Sequence, residues 1–136
     1  MGESAMTRDV CAALRCCNTM VLPVVAGRMM PAGWPDRYVA HRAWSGWIEF
    51  KADAGRLSDI QLHVIEGLRT RGVNVVVARF VGGRIHVSDE TGTLITVLDT
   101  PRTGTEAYEF LRNLPHNCLA TDQSTAPKYP QGTTPS

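Results

Sequence analysis

The apolar positions of this chain switch between two rhythms, one of about 3.6 residues and one of two, and the switches mark its elements. A helix is predicted from Thr7, or the residues just before it, to about Cys17, with Val10, Ala13, Leu14 and Cys17 on one stripe. Residues 20 to 30 read as extended, interrupted by Pro23, and residues 31 to 35 as a turn cluster of Pro, Ala, Gly, Trp and Pro. Two strands follow at about 37 to 41 and 46 to 51, then a loop through Asp53 and Gly55. Ser58 opens the clearest helix, which runs to about Arg71, stops at Gly72 and carries Ile60, Val64, Ile65 and Leu68 as its apolar stripe. Residues 73 to 81 form a long valine-rich strand of the kind found in the middle of a sheet. Gly82-Gly83 turns it into a strand at 84 to 88, and Thr91-Gly92 turns that into another at 94 to 98. A short helix from about Thr105 to Leu114 would point Tyr108, Leu111 and Leu114 inward.

Past Pro115 the chain is Thr, Pro, Ser, Gln and Gly with few large apolar side chains. The division is therefore one domain over residues 1 to 114 and a disordered tail over 115 to 136. A chain of 136 residues can bury a core without disulfides, and 43% hydrophobic with 20% charged residues is ordinary for a globular protein. No apolar run reaches the ~18 residues of a membrane span. The run at residues 20 to 26 is too short and too interior for a signal peptide and reads as a buried strand. Cys11, Cys16, Cys17 and Cys118 form no CxxC pair and no zinc-ligand spacing, so free thiols in a reducing cytoplasm are expected. That placement also fits a virally encoded protein acting in a host cell.

The chemistry gathers in Pro35-Asp36 and, after twelve intervening residues, Glu49-Phe50-Lys51. Two carboxylates and a lysine are what a metal-dependent phosphodiesterase needs. Mg²⁺ is held through one or two carboxylates plus phosphate oxygens and water, and it makes water a usable nucleophile at neutral pH. Residues 46 to 51 read as a strand, so Glu49 and Lys51 share one face and Ile48 and Phe50 the other. A hairpin through His41 to Ser45 would bring Asp36 beside Glu49.

Four stretches then resemble the PD-(D/E)XK nuclease superfamily, and within it the small stand-alone proteins of the VRR-NUC type. They are residues 33 to 37 (Gly-Trp-Pro-Asp-Arg), 48 to 51 (Ile-Glu-Phe-Lys), 55 to 61 (Gly-Arg-Leu-Ser-Asp-Ile-Gln) and 68 to 73 (Leu-Arg-Thr-Arg-Gly-Val). The resemblance covers residues 28 to 80, about half the chain. It implies an α/β restriction-endonuclease-like core, a central mixed β-sheet flanked by α-helices. It also implies that Asp36 and Glu49 hold Mg²⁺, or Mn²⁺ in its place, with the Phe50 backbone carbonyl, and that Lys51 contacts the attacking water or the scissile phosphate. Gln61 would reach the site. Its place in Ser58-Asp59-Ile60-Gln61 is equally that of a helix capping box. An acidic residue on the first helix, Asp9 or Glu3, would be a further ligand. The implied substrate is DNA, branched or flapped, and the implied assembly a homodimer with one site for each strand.

Charge sharpens two points. Residues 28 to 84 carry eight Arg and one Lys against five acidic residues, a net +4, and residues 85 to 136 a net −3. The candidate site lies in the basic half, where Arg69 and Arg71 are expected to contact phosphates. Twelve of the fourteen basic residues are Arg, and the only Lys before Lys128 is Lys51, inside the ExK triplet. Asp53 reads as a turn former or an outer ligand, and the four His as scattered packing or surface residues. Trp34, Trp44 and Trp47 cluster near the site as packing groups or as platforms for unpaired bases. Two other readings compete with the endonuclease: a nucleic-acid-binding protein of the same fold without activity, and an unrelated structural or interaction domain. Burial of Glu49 away from Asp36 would favour the last.

Overall fold

The computed structural model describes residues 3–24 and 31–117. The expected extended segment at 25 to 30 and the tail from residue 118 onward lie outside the described residues. The elements are α1 (Glu3–Arg15), β1 (Met20–Pro23), β2 (Arg37–Ala40), β3 (Ser45–Ala52), α2 (Asp59–Thr70), β4 (Val75–Val81), β5 (Arg84–Ser88), β6 (Leu94–Asp99) and α3 (Gly104–Arg112). No helix among the described residues is long and apolar enough to cross a membrane.

The six strands form one sheet in chain order, β1-β2-β3-β4-β5-β6. Neighbouring strands are antiparallel, with short turns joining β2 to β3, β4 to β5 and β5 to β6. The exception is β3 with β4, which run parallel because α2 carries the chain back between them. The sheet is thus mixed, and β4 is its most buried strand, with Val75, Val76, Val77, Ala78 and Phe80 all enclosed. Gly82 and Gly83, with φ of 57° and 80°, supply the left-handed turn that sends β4 into β5.

Alternation assigns each face a partner. Ile48, Phe50, Val76, Ala78, Phe80, Ile85 and Val87 pack against Val10 and Leu14 of α1 and Ala107, Phe110 and Leu111 of α3. The opposite face carries Val75 and Val77 under Ile65 of α2, with Trp47, Leu57 and Leu68 at the margin. Trp44 is enclosed in the larger core and donates its Nε1–H to the Pro115 carbonyl at 3.0 Å. The fold therefore extends past Leu114. Asn117 is also buried, and its side chain donates to the Arg69 and Val73 carbonyls at 2.9 and 2.7 Å.

One strand and two stripe assignments need correcting: β1, expected as a buried strand, is an edge strand with Met20 and Leu22 exposed. Ile60 is 50% exposed. It meets the loop at Gly33, where an added Cβ would come 2.9 Å from Ile60 Cγ1 and 2.8 Å from its carbonyl oxygen. Tyr108 is 38% exposed, standing edge-on to His41 with ring centroids 5.5 Å apart, while Phe110 takes the inward place. The inward stripe of α3 is Ala107, Phe110 and Leu111, continued by Leu114 just past the helix and rotated slightly from the expected one. Helix α1 also begins earlier than expected, so that Thr7 lies buried within it.

Candidate active site

The site grows out of a fork in the sheet. Strand β2 pairs with β3 only as far as Arg37 opposite Ile48, while β3 continues four residues further alongside β4. From Glu49 onward the β2-side edge of β3 has lost its partner, and Asp36, the residue before β2, sits at that gap. The Phe50 N–H, released from the ladder, donates to Asp36 Oδ2 at 3.3 Å. The Asp36 N–H donates in turn to Glu49 Oε1 at 3.1 Å. The two carboxylates are locked together by each other's strand backbone.

The crossover geometry brings the third component. In a βαβ unit the helix starts near the C-terminal end of the first strand, so the first turn of α2 faces the end of β3. Gln61 Nε2 donates to Glu49 Oε2 at 3.0 Å, and Gln61 Oε1 accepts from Lys51 Nζ at 3.3 Å. The same Oε1 accepts from the Ser58 N–H at 2.9 Å, and Ser58 Oγ accepts from the Gln61 N–H at 3.2 Å, completing the capping box. One geometry thus has Gln61 cap α2 and place its amide against Glu49 and Lys51.

Glu49 is 4% exposed, a position that a carboxylate tolerates only when its oxygens are matched by donors. Here they are the Asp36 N–H, the Gln61 amide and the Lys51 ammonium, whose Nζ lies 3.4 Å from Glu49 Oε2. The Lys51 side chain is itself only 16% exposed. Glu49 is buried beside Asp36 rather than away from it, so the observation that would have favoured an unrelated domain is not met.

The donor set suits a hard divalent cation. Asp36 and Glu49 bring carboxylate oxygens to one place. The N–H and C=O of a strand residue leave on the same edge, so the Phe50 carbonyl faces the gap that Asp36 occupies. Among the described residues no group of three or more His, Cys, Asp or Glu gathers as a metal centre. Two carboxylates, a carbonyl and water match what Mg²⁺ accepts, whereas Zn²⁺ prefers His and Cys.

The remaining candidates separate. Asp53 is exposed in the turn after β3. Asp9 lies elsewhere, lining a cleft with Ala12 of α1, Cys16 just after it, Phe80, and Thr100 to Arg102. The Glu3 side chain lies outside the described residues. Trp44 is core, but Trp34 and Trp47 are half-buried, packed edge to face at 5.4 Å, with Tyr38 on Trp47 at 5.1 Å. Arg69 is not a free phosphate contact: it bonds Glu90 and the Val75 carbonyl. Arg71 remains exposed, as does Arg56 in the loop before α2. Sequence reasoning missed Arg79, which stands opposite Lys51 on β4. The signal was present, since Arg79 is the one charged residue in the run from Val73 to Val81.

No family model and no curated protein matches this sequence. Among solved structures the chain is similar to Hjc, a Holliday junction resolvase of the archaeal hyperthermophile Archaeoglobus fulgidus. The TM-score is 0.50, over 88% of this chain and 98% of that one, at 16% sequence identity. The fold is resolvase-like. At that identity the likeness establishes architecture: a mixed six-stranded α/β sheet with three helices, of the restriction-endonuclease-like kind.

Proposed function

We propose that this protein is a divalent-metal-dependent DNA endonuclease of the PD-(D/E)XK type that hydrolyses phosphodiester bonds in branched DNA. The observation that carries the reading is the meeting of Asp36, Glu49, Lys51 and Gln61 at one fork of a resolvase-like sheet. Asp36, Glu49 and the Phe50 carbonyl would hold Mg²⁺, with Mn²⁺ as a substitute, and the ion would supply charge neutralisation at phosphorus and acidify water. Gln61 orients Glu49 and Lys51 through the two ends of its amide. Lys51 presents its ammonium to a phosphate oxygen or the attacking water, where charge develops as the new P–O bond forms and the old one breaks. The VRR-NUC subtype, a cytoplasmic site of action and a homodimer belong to the same proposal. Exposed Met20 and Leu22 on edge strand β1 offer apolar surface for a second copy.

The test is cleavage of labelled linear, flapped and four-way DNA by the purified protein with Mg²⁺, Mn²⁺ or EDTA. Cutting of the branched substrates is expected with either metal, and none with EDTA. Lys51→Ala should cut at least 100-fold more slowly, an order-of-magnitude expectation for a lost transition-state contact, while keeping DNA affinity. A variant that binds and cuts like the wild type would remove Lys51 from the chemistry, and cutting in EDTA would remove the metal.

A further inference from the structure

Arg79 is a charged residue in the most buried strand, and the function proposed above makes no use of it. It faces the same side of the sheet as Glu49 and Lys51 and is the ladder partner of Lys51. Its guanidinium reaches the loop that follows β3. Nε and Nη2 both donate to the Gly55 carbonyl, at 3.2 and 2.9 Å, and Nη1 reaches Ser88 Oγ on β5 at 3.4 Å. Gly55 lies in turn against the lysine. A Cβ added there would stand 3.3 Å from Lys51 Cδ and 3.1 Å from the Ala52 carbonyl oxygen. The Gly55 N–H closes this turn by donating to the same carbonyl at 2.9 Å.

We infer that Arg79 is a positioning residue for Lys51: by clamping the Gly55 carbonyl it holds the loop against the lysine stem and keeps Nζ beside Glu49 and Gln61. A lysine has four flexible stem bonds and about 2 kcal/mol of rotamer entropy, so its ammonium is localised only where the stem is packed. Here one side of the stem meets the loop backbone, and its tip meets Gln61 Oε1 at 3.3 Å. The planar guanidinium suits the clamp because two of its N–H groups converge on one oxygen while a third ties the assembly to β5. A misplacement of about 1 Å in a reacting group can cost about 100-fold in rate. The clamp therefore acts on turnover and not on affinity.

The kinetic consequence rests on the proposed function, but the clamp itself can be read without any activity. Lys51 and Lys128 are the only lysines of the chain, so lysine-labelled protein gives two side-chain spin systems by NMR. In the wild type the two Cε protons of Lys51 are expected to be inequivalent and shifted from solvent-lysine values. Arg79→Met should collapse them to those values while the backbone amide spectrum stays dispersed. In cleavage assays it should lower kcat about 10- to 100-fold with KM and DNA affinity nearly unchanged. Arg79→Lys should recover part of the rate, since an ammonium can still donate to Gly55. Gly55→Ala displaces the loop from the other side, should give both signatures, and decides the question where Arg79→Met does not fold. Lys51 signals that are solvent-like in the wild type, or unchanged in both variants, overturn the clamp. So does a raised KM with a shallower salt dependence and normal kcat, which would make Arg79 a phosphate contact. A wild type with ordered Lys51 signals that cuts no DNA would refute the proposed function, and the resonances alone would then judge the clamp.

Discussion

Arg69 and Arg71 stand two residues apart near the end of one helix, yet their side chains do different work. Arg71 is exposed and closes only a local bond to the Gly67 carbonyl at 2.8 Å. Arg69 donates to Glu90 across the fold and to the Val75 carbonyl at 2.7 Å, with side-chain exposures of 23% for Arg69 and 10% for Glu90. Removing one partner of such a pair leaves the other short of hydrogen bonds in a poorly solvated place. Arg69→Ala is therefore expected to lower the unfolding free energy by about 1–3 kcal/mol, read from urea midpoints, with little change in the salt dependence of DNA binding. An unaltered midpoint together with a shallower salt slope would return Arg69 to the phosphate contacts.

At the scale of elements, the β5–β6 turn is organised by a single carboxylate. Asp89 Oδ1 accepts from the Thr91 N–H at 2.9 Å, the Thr91 hydroxyl at 2.6 Å and the Thr93 N–H at 3.1 Å. Partial burial alone would raise the pKa of this group, but the hydrogen bonds from Thr91 and Thr93, with the Arg69 charge, together outweigh it. The carboxyl is held below its ordinary value of 3.8. A carboxylate with a depressed folded pKa stabilises the fold above its unfolded value, and that contribution is lost as pH falls through the folded one. Asp89→Asn keeps an acceptor but not the charge. It should be less stable than wild type at neutral pH, and the gap should close as pH drops below 3.8. A gap independent of pH would mean that turn geometry, not charge, is what Asp89 supplies.

For the molecule as a whole, the described chain ends by fastening the two layers together. Trp44, deep between the sheet and α3, bonds to Pro115, and Asn117 bonds the carbonyls at the end of α2 and the entry to β4. The Asn117 N–H also donates to Asn74 Oδ1 at 2.7 Å. Asn117→Ala takes a donor from both carbonyls at a 5% exposed position, and while the Arg69 carbonyl keeps the Gly72 N–H at 3.0 Å, the Val73 carbonyl loses its side-chain donor. It should cost about 1–3 kcal/mol, seen as a lower midpoint in chemical denaturation. The site should feel it indirectly, since α2 carries Gln61.

Much of this was legible in the chain because it is local. Alternation over residues 46 to 51 decides by itself that Glu49 and Lys51 share a face, and Ser58 with Gln61 spells a capping box over three residues. What a stripe of apolar residues cannot say is how far its partner reaches. Ile60 and Tyr108 lie on the margins of their stripes, and only the packed neighbours left them exposed. Three tryptophans looked alike until the sheet enclosed Trp44 and left Trp34 and Trp47 at its rim. The meeting of Asp36 with Phe50, of Gln61 with Glu49, and of Arg79 with Gly55 spans 14, 12 and 24 residues. Each depends on where β2 leaves β3 and on the parallel return of β4. Those are long-range pairings, set by the burial of both faces of the sheet, and no residue window contains them.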